Sequence, residues 1–175
     1  MSFEQTTELR AQGCPAAPAA QSHGGANTPR AKTPFSLEWA AGFLDGDGCL
    51  SLVSQAYSRA SRRKSTYRLL LSVTQNDRPV LEHFQNGLGV ASGIYLVKRT
   101  LQHNKQVYVL QYWGAHAIQA IKLLEPYLVR KNIEAQVALK YWVVGQCGTR
   151  FGPKGLPPSV RAERDYYYKK LQSLK

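Results

Sequence analysis

The stretch Ala40-Ala41-Gly42-Phe43-Leu44-Asp45-Gly46-Asp47-Gly48 holds the residues best suited to chemistry. Apolar spacing and Ser36 as an N-cap predict a helix through Leu37, Ala40, Ala41, Phe43 and Leu44. It is expected to stop at Gly46 and Gly48, since glycine breaks helices and permits positive φ. Asp45 and Asp47 are two apart, so on a helix they point in different directions and do not pair within one chain. Asp47 falls at the helix C-terminus, where the dipole is negative and the last carbonyls lack partners. One carboxylate beside free carbonyls suits a hard cation such as Mg²⁺. That coordination is thin, so a second copy of the motif is needed close by. Ala41, Gly42 and Gly46 leave one stripe of the helix without bulk, which lets two helix backbones approach. An EF-hand loop is excluded: Cys49, Leu50 and Ala56 stand where an oxygen ligand, a glycine and the bidentate glutamate belong. A plain helix C-cap with two solvated carboxylates remains open on composition alone.

Strand-like periodicity follows over 49–57 and 66–75, joined by a basic segment, 58–65, that reads as a hairpin loop. A helix is expected over 79–88. A second β-hairpin is expected over 94–100 and 106–113, with His103, Asn104 and Lys105 in its turn. Helices follow over 117–127 and 132–144. Residues 145–158 hold four Gly and three Pro and read as a loop before a last helix, 159–174. The order α-β-β-α-β-β-α with short connections predicts an α+β fold, its helices on one face of an antiparallel sheet. Residues 1–33 are rich in Ala, Gln, Pro, Gly and Thr and read as a flexible tail; the folded domain is expected over 34–175.

The chain carries 23 Lys+Arg against 11 Asp+Glu, a net charge of +12, which points to a polyanionic partner. No stretch approaches the ~20 apolar residues of a membrane span, and the first thirty residues lack the apolar run of a secretory signal. Cys14, Cys49 and Cys147 make neither a disulfide framework nor a zinc spacing, which fits a reducing compartment. An intracellular location is expected: an organelle (chloroplast or mitochondrion) or a bacterial cytoplasm.

The AGFLDGDG core resembles the signature of the LAGLIDADG homing endonucleases. The resemblance runs from about residue 35 to 144 and includes the Val73-Thr74-Gln75 strand end and the 126–136 segment. A single copy of the motif is present, which resembles the single-motif branch found in group I introns. The resemblance implies an αββαββα fold with a four-stranded, saddle-shaped sheet over the DNA major groove. It implies a homodimer packed through the motif helices, with Ala41 and Gly42 at the interface and Asp45 serving the interface or the helix end. It implies Mg²⁺ or Mn²⁺ shared between subunits, held by Asp47 and the Gly46 carbonyl, and no small-molecule cofactor. Water would attack the phosphodiester in line, cutting across the minor groove and leaving short 3′ overhangs. Gln75 and Lys131 match the polar pocket around the scissile phosphate. A further basic residue is expected just after the glutamine, and Arg78 is the candidate, at a shorter spacing and before Pro79.

The resemblance also aligns one face of each strand with DNA-facing positions. On the first strand these are Ser51, Val53, Gln55 and Tyr57. On the second they are Thr66, Arg68, Leu70 and Ser72. Arg68 suits guanine and Gln55 adenine, whereas Val53 and Leu70 offer apolar contact alone. Arg59, Arg62, Arg63 and Lys64 in the loop suit phosphates. In the second hairpin Lys98, Arg99, His103, Lys105 and Gln111 are candidates, with the DNA-facing side left open because 94–99 does not alternate cleanly. Residues 50–111 hold nine Lys+Arg against two Asp+Glu, the bias of a contact face. Two symmetric halves predict a near-palindromic double-stranded target of roughly two turns, at ~10 bp per turn. Three other readings are an RNA-binding intron maturase on the same fold, a nuclease-dead DNA-binding regulator and a basic ribosomal-type protein.

Overall fold

The computed structural model describes residues 34–55, 66–97, 105–149, 151 and 156–175. The expected tail, 1–33, and the basic loop of the first hairpin lie outside the described residues. Helix α1 spans Leu37–Asp47. It is followed by β1 (Gly48–Gln55), β2 (Thr66–Gln75), α2 (Arg78–Leu88), β3 (Gly93–Leu96) and β4 (Tyr108–Trp113). Then come α3 (Ala115–Leu124), a 3₁₀ turn at Glu125–Tyr127, α4 (Asn132–Val144) and α5 (Pro158–Ser173).

Ser36 caps α1 as expected, its hydroxyl accepting the Trp39 N–H at 3.1 Å. The other end differs from expectation. Gly46 lies inside the helix, which runs on to Asp47, and Gly48 is extended at φ −87°. Gly48 is required for room rather than for positive φ: a Cβ there would meet the Leu44 side chain and carbonyl. The third helix is also shorter than expected, because Pro126 turns its last residues into the 3₁₀ turn.

The four strands form one sheet in the order β1-β2-β4-β3, each pair antiparallel. Alternation sets the two faces. Leu50, Leu52, Leu69, Leu71, Val73, Leu110 and Tyr112 point into the core. They meet Ala40, Ala41 and Leu44 of α1, Leu81, Phe84 and Leu88 of α2, Ile118 and Ile121 of α3, and Ala138 and Tyr141 of α4. Each fully buried Leu or Phe contributes about 1.5–3 kcal/mol, so this face fixes the register. The helices α4 and α5 brace β2: the Tyr141 hydroxyl donates to the Tyr67 carbonyl at 2.8 Å, and Tyr168 stacks on Tyr67 at 4.4 Å.

Candidate active site and nucleic-acid interface

The end of α1 is where distant segments converge. Asp45 turns towards the start of α4, and its carboxylate accepts the backbone N–H groups of Val129, Arg130 and Lys131 at 2.8, 3.0 and 2.8 Å. Burial would raise this carboxyl, but the three donors, with the nearby Lys131 ammonium, outweigh it and hold Asp45 below its ordinary value. Lys131 returns the contact: its ammonium donates to the Asp45 carbonyl at 2.6 Å. Lys131 is 4% exposed, the one buried charged side chain among the described residues. It is therefore no solvated helix-start lysine. A cation fixed against the carbonyl end of a helix offsets the negative dipole there.

Asp47 ends α1 and leads directly into β1, whose first residue pairs with Val73 near the end of β2. That register brings Gln75 to Asp47, and its amide N–H₂ donates to the carboxylate at 2.6 Å. The sequence-predicted Asp47, Gln75 and Lys131 thus gather around one helix end. Asp47 stays exposed to solvent. The Leu44 carbonyl is taken by the Gly48 N–H and the Asp45 carbonyl by Lys131, which leaves the Gly46 carbonyl next along the helix end. Among the described residues no three His, Cys, Asp or Glu side chains group around a metal position. The oxygen donors present fit Mg²⁺ or Mn²⁺ in kind, and the chain places one exposed carboxylate, Asp47, among them.

Two of the interface candidates turn inward or find partners within the chain. Ala41 is fully buried in the chain's own core, because helical spacing sets it inward with Ala40 and Leu44. Asp45 is engaged within the chain, at the start of α4, as above. Gly42 and Gly46 do face outward, with open space beyond each Cα. Arg78 has partners of its own: it opens α2, pairs with Glu82 at 2.8 Å and lies over the Tyr108 ring at 6.0 Å.

The second feature is the sheet face that no described helix covers. The register sets Cys49, Ser51 and Val53 beside Arg68, Leu70, Ser72 and Thr74, and these beside Val109, Gln111 and Trp113. Gly93 and Tyr95 extend the face along β3. The predicted Ser51, Val53, Arg68, Leu70, Ser72 and Gln111 all lie here. Gln55 and Thr66 fall on the same face by register, their side chains outside the described residues. Tyr57, Arg59, Arg62, Arg63, Lys64, Lys98, Arg99 and His103 also lie outside them. Lys105 is described, and is exposed before β4. On the second hairpin the residues sharing this face are Tyr95, Val109, Gln111 and Trp113. Thr74, Tyr95, Val109 and Trp113 share this face without being sequence candidates; the alternation of buried Leu110 and Tyr112 in 108–113 was the available signal. Burial pushes the Cys147 thiol up, so it stays neutral beneath α5.

Comparison with known proteins agrees with this layout. The family model described as LAGLIDADG endonuclease matches residues 40–146, more than half of the chain. No match is found among curated proteins. Among solved structures the chain is similar to the homing endonuclease I-CvuI in complex with its target. The TM-score is 0.63 at 24% identity, over 79% of this chain and 81% of that one. It is similar to the archaeal intron-encoded homing endonuclease I-Vdi141I complexed with DNA, with a TM-score of 0.59 at 18% identity over 79% and 83% of the two chains. It is also similar to the homing endonuclease I-TnaI, with a TM-score of 0.58 at 15% identity over 81% and 97%. Those likenesses show the α+β fold with its four-stranded antiparallel sheet, and with the matched family model they make the chain a member of the LAGLIDADG endonuclease family.

Proposed function

We propose that this endonuclease is site-specific and cuts both strands of a long, near-palindromic DNA target as a homodimer. Mg²⁺ or Mn²⁺ would be held between the Asp47 carboxylates of two copies, with the Gly46 carbonyls beside them. The observation that carries the reading is the exposed Asp47 carboxylate, steadied by Gln75, at the end of an uncovered sheet face. I-CvuI has been crystallised with DNA in the presence of Ca and of Mg, which supports a divalent cation here too.

When bound, the cation supplies Lewis-acid polarisation of the scissile phosphate and a more acidic water. The rest is the work of the chain. Gln75 holds the Asp47 carboxylate in one orientation through its amide. Lys131 neutralises the helix end, so that a second carboxylate can approach with less repulsion. The bare outer surface at Gly42 and Gly46 lets the helix of a second copy come close. The uncovered sheet face enters the major groove and reads bases with alternate side chains. Cutting across the minor groove leaves short 3′ overhangs.

The test is to select cleavable sequences from a randomised DNA pool with Mg²⁺, for the natural chain and for Asp47→Asn. The natural chain should enrich a two-fold-related target and sediment as a dimer on it. Asp47→Asn should bind that target and lose cleavage by at least about 10³-fold. Cutting by the variant, or a monomer on the target, would overturn the reading. RNA bound in place of DNA would favour the maturase instead.

A further inference from the structure

The uncovered sheet face carries one preassembled group of side chains. Arg68 on β2 reaches across to β4, where its guanidinium lies over the Trp113 ring at 5.0 Å. Register explains the meeting: Trp113 is opposite Leu70, so Arg68 is its diagonal neighbour on the same face. Gly114 follows directly after Trp113. It has φ +55°, a conformation that favours glycine, and a Cβ there would stand 4.0 Å from Arg68 Nε. Gly114 is also pinned, its N–H donating to the Leu69 carbonyl at 2.9 Å. On the other side the Trp113 indole N–H donates to the Gln111 side-chain oxygen at 3.2 Å. Trp113 therefore holds a cation by its face and an amide by its edge.

The donors this leaves are informative. Among the described residues no carboxylate pairs with Arg68, so its fork of N–H groups is not spent on any of them. Gln111 has its oxygen engaged, so its N–H₂ is the unused half. A rigid pair of donor groups on neighbouring strands matches a base edge that offers only acceptors. In the major groove that edge is guanine, with O6 and N7. Stacking on an indole also removes much of the rotamer freedom that an exposed arginine loses on binding.

We propose that Arg68, Trp113 and Gln111 form a guanine-reading unit in each half-site, in which Trp113 is the positioning residue for the other two. This rests on the reading of the uncovered face as the DNA surface. The unit specifies one base pair per half-site and leaves the scissile chemistry at Asp47 untouched.

The experiment is target selection with Mg²⁺ from a pool randomised across both half-sites. It compares the natural chain with Arg68→Ala, Trp113→Leu and Trp113→Phe. The natural chain should prefer guanine at one two-fold-related position. Arg68→Ala and Trp113→Leu should each relax that position by about 10-fold or more while other positions keep their preference. Trp113→Phe keeps the ring under Arg68 but loses the N–H that orients Gln111, so it should relax the position less than Trp113→Leu does. Thermal denaturation checks that each variant folds. Loss of preference at every position equally would mean a structural role and overturn the proposal. So would unchanged guanine preference in Trp113→Leu. A natural chain that selects no DNA at all would instead defeat the function proposed above, which keeps the two failures apart.

Discussion

Asp45 binds three backbone N–H groups from a segment more than eighty residues away, whereas Asp47 keeps its carboxylate exposed and takes one side-chain amide. The two have the same chemistry and nearly the same place in sequence. What separates them is the helix turn, which aims one at α4 and the other past the end of β2. An exposed functional charge is useful only on a frame that does not move. Here the frame is supplied by the twin residue, which has spent its lone pairs on rigidity.

Exchanging each carboxylate for its amide should break the two roles apart. Asp45→Asn replaces an acceptor-only group with one that carries its own N–H₂, so at least one of three backbone donors loses its partner. Charge-assisted bonds contribute about 1.5–3 kcal/mol each, so a loss of about 3 kcal/mol is expected. That is a fall in Tm of roughly 6–12 °C for a chain of this size. Asp47→Asn should leave Tm nearly unchanged while it abolishes cutting. Equal thermal losses in the two variants would end the comparison.

Acid should expose the same contrast. Asp45 titrates below its ordinary value in the folded chain, so it binds fewer protons than the unfolded chain does. Its contribution is complete above the unfolded value of about 4 and is lost as pH falls through the lower folded pKa. Denaturation of the natural chain and of Asp45→Asn should show a constant gap above about pH 5 that narrows on acidification. A gap that widened in acid would contradict the assignment.

Lys131→Met comes next in size. It removes the ammonium from the Asp45 carbonyl but leaves the carboxylate with its three N–H partners. A loss of about 1.5–3 kcal/mol in chemical denaturation is expected, smaller than at Asp45. Cleavage should fall beyond what stability explains, because the negative helix end beside Asp47 is no longer offset. A Met variant as active as the natural chain would leave Lys131 a purely structural cation.

The sequence made some of this visible and hid the rest for physical reasons. The Asp47 site could be read because helix termination and strand register are local: Ser36, Gly48 and the alternation of β1 and β2 are all near it in the chain. Gln75 and Lys131 were placed by the motif's resemblance alone, since nothing local brings residue 75 or 131 to residue 47. The roles of Asp45 and Ala41 could not be read. Both depend on which side of α1 faces the core, and a helix with Ala40, Ala41, Gly42 and Gly46 has too little contrast between its sides to say. The partner of Trp113 was hidden for another reason, as cross-strand diagonals follow from sheet order and β4 lies beside β2 rather than at an edge.

The smallest expected effect is at Arg78, and it tests where the site ends. The family resemblance made Arg78 a pocket candidate, yet the chain pairs it with Glu82 one turn along α2. Both partners are more than two-fifths exposed, so the pair adds little. The order Arg-then-Glu is the weaker one for a helix pair, and a cation in the first turn opposes the helix dipole. Arg78→Ala should therefore change stability by less than about 0.5 kcal/mol. Its cleavage rate should stay within a few-fold, against the ~10²-fold or greater loss expected for a group that stabilises the reacting phosphate. Single-turnover cleavage of the selected target measures the difference. A loss of that larger size would bring Arg78 back into the site and show that α2 turns its first residue towards Asp47 once DNA is bound.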